Sequence, residues 1–320
     1  MRIQKNWTIG MSFVPLILIT CSTWAQEYPV KLVRIYANQP GGVFDFLARV
    51  YSQGLAVPLG QPVIVENRPG NIIPAEIVSK ATPDGYSLLS HGTALAFGAL
   101  MQKMPYDPLK DFQAISWTSS APLVVTVHPS VPVKSIRELI ALAKARPGEL
   151  TYASTSIGST PHLATELFKS MAKVDIRHIP YKGAGAAMFD VMAGEVQMIF
   201  SVSSGVMGHV TSGKLRALAV TSSKPSPLLP GIPTVAATGL PGYESVGVYG
   251  VFAPARTPNA IVRKLSLELA KVVNSEEGRK RLLDAGVEPV GSTPEQFDAK
   301  FKQESDHMAK VIKAAGIQID

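Results

Sequence analysis

The chain has 320 residues, 31 Lys and Arg against 24 Asp and Glu, and one cysteine. The basic residues are scattered, with no basic stripe interleaved with aromatics, which argues against nucleic-acid binding. Cys21 lies near the N-terminus, so a chain cleaved behind it has no thiol: disulfides, thiol nucleophiles and cysteine metal ligands go together.

The N-terminus carries Arg2 and Lys5, then an apolar run from Ile9 to Ile19, then Thr23 and Ala25 at the −3 and −1 positions of a cleavage site. This is the layout of a secretory signal peptide spanning 1–25. The run is too short and too interrupted for a transmembrane helix, and no later stretch reaches about 18 apolar residues. Lipid anchoring at Cys21 is the less favoured reading, because Thr20 is larger than the residue usual before a lipidated cysteine.

Strands are expected at 32–36, 63–66, 87–89, 123–127, 150–153, 176–180, 198–200, 217–220 and 246–252. Helices are expected at 44–55, 74–79, 135–145, 160–171, 184–192, 206–211, 259–274, 276–285 and 293–315. Ser135 with Glu138 makes a capping box, and Pro161 and Pro294 sit at first helical positions. Strand-then-helix alternation predicts a mostly parallel α/β sheet. If the distant strands 123–127 and 246–252 pair, one carries the chain out of a first lobe and the other returns it. That gives two α/β lobes: 26–124 with 245–320, and 125–244. Such a pair closes over a ligand by hinge motion.

Catalytic signatures are missing from the sequence: there is no Gly-x-Ser-x-Gly elbow, no phosphate-binding loop and no Gly-x-Gly-x-x-Gly after the first strand. The histidines, His91, His128, His162, His178, His209 and His307, are not paired at helical ligand spacing. A secreted hydrolase using a loop serine is the alternative the residues leave open.

Four polar loops follow strands and precede helices. The first holds Gln39, Gly41 and Gly42 before Phe44 and Asp45. The second holds Gly92 and Thr93, the third Ser154, Thr155, Ser159 and Thr160, and the fourth Ser201. Adjacent glycines admit close backbone approach, and a helix N-terminus favours an anion. Together these loops read as a carboxylate cradle of N–H and hydroxyl donors. Tyr181 precedes Lys182, which either reaches a ligand anion or sits on the surface, and Tyr249 on the returning strand is placed to wall a cleft.

Particular stretches carry a family resemblance: Pro40-Gly41-Gly42 with Asp45, LGQPV ending at Val63, VENRPG ending at Gly70, PDGY ending at Tyr86 and PYDP ending at Pro108. Further on come HPS from His128, PHL around His162, PYKG ending at Gly183 and GKLRALA ending at Ala219. Over 28–317 the chain resembles the substrate-binding proteins of tripartite tricarboxylate transporters, the Bug-type extracytoplasmic solute receptors. The resemblance implies a bilobal periplasmic binding protein of type II, a Venus flytrap, that binds without catalysis, metal or cofactor. It implies a small organic carboxylate as ligand, a di- or tricarboxylate or an aromatic carboxylate. Membrane permease subunits, or a sensor protein, are the implied partners of a monomer. The chain departs from the family pattern at Asn38, where an aromatic is usual, at Phe44, where a small residue is usual, and at Ser201, often Asp. The glycine-rich stretch after Arg68-Pro69-Gly70 is shortened.

Overall fold

A computed structural model of the protein describes residues 1, 28–154, 158–181 and 183–315. The leader beyond Met1 with Cys21, and Thr155 and Lys182, lie outside the described residues.

The first half of the chain forms β1 (Val33–Ala37), α1 (Val43–Leu59), β2 (Val63–Asn67), α2 (Ile72–Ser79), β3 (Ser87–Gly92), α3 (Ala94–Met101), β4 (Phe112–Val127), α4 (Ile136–Ala145), β5 (Thr151–Ser154) and α5 (Thr160–Ala172). The second half forms β6 (Arg177–Pro180), α6 (Ala184–Ala193), β7 (Met198–Val202), α7 (Ser203–Thr211), β8 (Arg216–Val220) and α8 (Val235–Thr238). It ends with β9 (Val246–Pro254), α9 (Asn259–Asn274), α10 (Glu276–Asp284), β10 (Glu288–Pro289) and α11 (Pro294–Ala315).

Local chemistry explains these elements. Val33, Ile35 and Ala37 of β1 are fully buried while Arg34 between them is exposed, the period of two of a strand. Helix α1 stops where Gly60 enters the left-handed region at φ 63° and its N–H bonds Val57 O. Ser135 caps α4 by accepting from the Glu138 amide, as the capping box requires.

In one lobe β2, β1 and β3 run parallel; in the other β6, β5 and β7 do. Between them stand the long strands β4 and β9. Residues Phe112 to Pro122 of β4 pair antiparallel with β9, and Leu123 to Val127 pair antiparallel with β7 and β8. The arrangement is therefore mixed rather than mostly parallel. An outgoing and a returning crossover must run in opposite directions, and each then lies antiparallel to a neighbour.

Several elements differ from expectation, and the short α8 and β10 lie where none was expected. Strand β4 begins at Phe112, well before 123, because its first half carries Ser116, Thr118 and Ser119, all buried. Their polarity hides the strand pattern, and bonds from Ser116 Oγ to Ser292 O (2.8 Å) and Thr118 Oγ1 to Tyr249 O (3.1 Å) make the burial of those two tolerable. Helix α3 occupies a segment for which no helix was expected, and Ser90, His91 and Gly92 complete β3 rather than forming a loop. Helix α11 packs against β4, α5 and α3, so the C-terminal helix braces elements of both lobes. Among the described residues no helix is long and apolar enough to cross a membrane.

Candidate functional site

A cleft of about 490 Å³ lies between the lobes. The turn after β1 and the start of α1 contribute Asn38, Val43 and Phe44, and the start of α2 contributes Asn71 and Ile72. Helix α3 presents Ala94, Gly98 and Met101, spaced i, i+4 and i+7 and so on one face, and Gln102 follows as its extended C-cap. Met104 and Tyr106 extend that wall, and Tyr249 of β9 closes it. Leu123, where β4 changes partners, and Val202 at the end of β7 form the floor. The other lobe contributes Gly158, Ser159, Thr160 and Pro161, the start of α5.

Four of the residues singled out in the sequence line this cleft: Phe44, Ser159, Thr160 and Tyr249. Phe44 stacks on His91 at 4.4 Å between centroids and meets Tyr249 edge-on at 5.8 Å, so one of its faces is already occupied. Ser159 caps α5: its Oγ accepts from the His162 amide at 3.4 Å and its carbonyl from Leu163 N at 3.0 Å. Gly158 N in turn donates to His162 Nδ1 at 3.0 Å, which pins the loop from behind.

The other singled-out residues that the structure describes sit around the cleft, not on its lining. Gly41, at φ 85°, donates its N–H to Asp45 Oδ2 at 3.0 Å. Gln39 Oε1 accepts from Gly70 N at 3.0 Å, which ties the turn to the loop after β2. A Cβ on Gly42 would meet the Asn38 carboxamide at 3.0 Å. Asp45 is buried, accepts from Asn67 Nδ2 at 2.8 Å and pairs with Arg49 at 2.9 Å. Burial alone would raise its carboxyl, but the bonds from Arg49, Gly41 and Asn67 outweigh it and hold it below the usual carboxylate range. Asp45 thus organises the turn and is not placed to touch a ligand.

Gly92 is required by packing: a Cβ there would lie 2.2 Å from Val248 O on the neighbouring β9. Thr93 is buried, donates its N–H to Val248 O and accepts from the amides of Ala96 and Phe97 at the start of α3. Ser201 lies within β7, opposite Val124. The Tyr181 hydroxyl donates to Asp190 Oδ2 at 2.6 Å; burial, then that carboxylate, pushes its phenol up to about 12.

Ser154 Oγ lies 2.7 Å from His178 Nε2, and the His178 ring stacks on His162 at 4.3 Å and on Tyr152 at 4.7 Å. This pair has the elements of a nucleophile and base, but Ser154 is fully buried. Burial, then the neighbouring His162, pushes His178 down to about 4. The described residues contain no group of three or more His, Cys, Asp or Glu able to hold a metal.

The lining residues that sequence reasoning missed are Val43, Gly98, Met101, Gln102, Met104 and Val202. Asn71 and Ile72 fall in the shortened stretch after Gly70, Leu123 opens an expected strand, and Tyr106 and Pro161 stood in the motifs PYDP and PHL with no role attached.

Chemically the cleft offers the first turn of α5 on one side and an apolar wall on the other. None of the described residues lining it is charged.

Comparison with known proteins agrees with this architecture. The chain is 35% identical over 313 residues to Protein BugT of Bordetella pertussis, covering 96% of each chain. It is 33% identical over 307 residues to a UPF0065 protein in the tcbD-tcbE intergenic region of Pseudomonas sp. strain P51, covering 93% of this chain and 91% of that one. Among solved structures, an R. palustris protein with adipate superposes with TM-score 0.79 at 34% identity, covering 91% and 99% of the two chains. MatC of Rhodopseudomonas palustris, with bound malate, gives TM-score 0.73 at 28% identity, covering 89% and 100%. These neighbours fix the fold as a bilobal periplasmic binding protein of type II, and they are binding proteins rather than enzymes. The model of the family described as "Tripartite tricarboxylate transporter family receptor" matches residues 47–317, and the chain belongs to that family.

Proposed function

We propose that the protein is a periplasmic solute receptor that captures a small organic carboxylate by lobe closure and presents it to the permease subunits of a tripartite tricarboxylate transporter. The lobes are 26–124 with 245–320, and 125–244. The chain works as a monomer, freed of its leader by cleavage after Ala25.

One observation carries this reading: the N-terminus of α5 opens into a two-lobed cleft whose described lining holds no charge. Pro161 has no N–H and the His162 and Leu163 amides bond Ser159, which leaves the Thr160 amide and hydroxyl and the positive end of the helix dipole to meet a ligand. A carboxylate is held there by fixed donors with no acid opposing it. Asp45, Gln39 and Gly41 hold the facing turn in shape, and Phe44 and Tyr249 wall the ligand's apolar part. Because both lobes line the cleft, the closed state gains contacts the open state lacks, and binding shifts the population towards closure. The adipate and malate bound by the two solved relatives support the choice of a carboxylate.

The test is a thermal-shift series on residues 26–320 with aliphatic and aromatic carboxylates and their uncharged amides. A ligand that binds only the folded state adds about 2.7 kcal/mol at a hundredfold excess over Kd. Acids are expected to raise the melting temperature and the matched amides to leave it unchanged. No shift with any acid would refute the receptor reading.

A further inference from the structure

We infer that His162 is a positioning residue for ligand capture: through an unprotonated Nδ1 it holds the turn between β5 and α5 on the cleft, and protonating it lets that turn go. This rests on the receptor reading above and adds to it what keeps the site in shape.

One pair of rings anchors both ends of the turn. At its end Gly158, at φ 75°, donates its N–H to His162 Nδ1 at 3.0 Å. At its start Ser154 Oγ lies 2.7 Å from His178 Nε2. The two imidazoles stack at 4.3 Å between centroids, and Tyr152 of β5 stacks on His178 at 4.7 Å. Ser154 and His162 are buried, while Gly158 stands on the cleft lining beside Ser159 and Thr160. Rings inside the lobe thus set where cleft residues sit.

The Gly158 bond fixes a protonation state. A backbone N–H can only donate, so Nδ1 carries the lone pair and the proton of the neutral ring is on Nε2. A proton on Nδ1 would set a donor against a donor. The charged groups that act on the two rings lie on α5. Glu166 and Lys169, one and two turns beyond His162, pair at 2.7 Å, and Glu166 also accepts from the Tyr152 hydroxyl at 2.6 Å. Burial lowers His162, Glu166 raises it and Lys169 lowers it, and the balance lies below the ordinary histidine value. The acceptor is therefore present at neutral pH and lost in acid.

The experiment compares His162→Phe, which keeps a stacked ring and deletes the acceptor, with His162→Asn, whose Oδ1 takes the place of Nδ1 and does not titrate. In ligand-free residues 26–320, hydrogen exchange at the Gly158 amide, followed by NMR, is expected to be at least about tenfold faster in the phenylalanine variant and close to the parent in the asparagine variant. The second readout is calorimetric titration with adipate, followed by malate and benzoate if adipate does not bind. At pH 7 the phenylalanine variant is expected to bind about tenfold more weakly and the asparagine variant to recover the loss. Between pH 7 and pH 5 the affinity of the parent is expected to fall further than that of the asparagine variant; the ligand's own titration is common to both and drops out. Parent-like exchange in the phenylalanine variant, faster exchange with unchanged affinity, or identical pH profiles for parent and asparagine variant would each overturn the inference and leave the receptor reading standing. Binding of none of the three acids, with no response in the thermal-shift series, removes both.

Discussion

The Thr221 hydroxyl accepts the Leu123 amide at 2.8 Å while the Thr221 amide donates to the Leu123 carbonyl at 2.9 Å. The Thr221 carbonyl in turn accepts from Ser245 N at 2.9 Å. One fully buried residue therefore ties together the point where β4 changes partners and the point where the chain returns into β9. Replacing it with valine keeps the shape and deletes the acceptor, so the Leu123 N–H is left buried and unpaired. Thr221→Val is expected to cost about 1–3 kcal/mol in urea unfolding. Because Leu123 floors the cleft, carboxylate affinity should fall with it. An unfolding free energy equal to that of the parent would show that the hydroxyl does not secure the crossover.

Asp45 sits one turn into α1 and reaches back to Gly41 N, across to Asn67 and along the helix to Arg49. Asp45→Asn keeps the volume and loses the charge behind three bonds. The expected loss is about 2 kcal/mol of stability, in the range for hydrogen bonds to charged groups. Ligand affinity should fall too, because the turn positions Asn38 and Val43 on the cleft. The carboxyl is held below its ordinary 3.8, so its contribution is complete above about pH 4 and lost as pH falls through the lower folded value. Parent and variant should converge in stability in strong acid. Denaturation profiles that stay parallel down to pH 3 would contradict this assignment.

Ser159 separates capping from ligand binding. Aspartate caps a helix about as well as serine, so Ser159→Asp should leave the unfolding free energy within about 0.5 kcal/mol. It also puts a negative charge where the carboxylate is proposed to sit. Affinity for an acid is expected to drop by at least about tenfold, through like-charge repulsion at short range. Titration calorimetry and urea unfolding on the same preparation read both effects. Unchanged affinity would remove the start of α5 from the binding site.

The sequence revealed some of this organisation readily and some not at all. The apolar runs at 123–127 and 246–252 were legible as strands because a strand inside a sheet leaves few positions for polar groups, but they do not pair with each other: 246–254 pairs with 112–122, and 123–127 with β7 and β8. The earlier half of β4 stayed hidden because buried Ser116 and Thr118 interrupt the apolar pattern, their hydroxyls bonded to Ser292, Tyr249 and Tyr51, partners far away in sequence. Helix α3, the longest wall of the cleft, reads ALAFGALM and is apolar around its whole circumference, so it shows no helical period. Glycine and serine loops announced anion-holding turns, but only the fold decides which of them opens onto the cleft. Gly41 spends its N–H on Asp45, Thr93 is enclosed by β9, and Ser159 and Thr160 face the opening.

His91 carries the clearest acid sensitivity in the lobe that holds Phe44. It is 1% exposed, stacked on Phe44, and accepts the Gly92 amide at Nδ1. Burial pushes it down to about 4, against smaller upward effects of the Gly92 and Asn71 backbones. An unfolded histidine titrates near 6.5, so between pH 6.5 and 4 the unfolded chain binds a proton that the folded chain refuses. Stability therefore rises with pH across that window, is complete above it, and declines as the solution is acidified. From pH 7 to pH 5 the loss assigned to His91 is about 2 kcal/mol. His162 and His178, also pushed down chiefly by burial, add to the same slope. His91→Asn keeps an acceptor near Nδ1 and abolishes the titration. Whatever the substitution costs at pH 7, its stability should fall less between pH 7 and pH 5 than that of the parent. Urea unfolding at the two pH values decides it, and identical slopes would mean that His91 is already charged, or hydrated, in the folded protein.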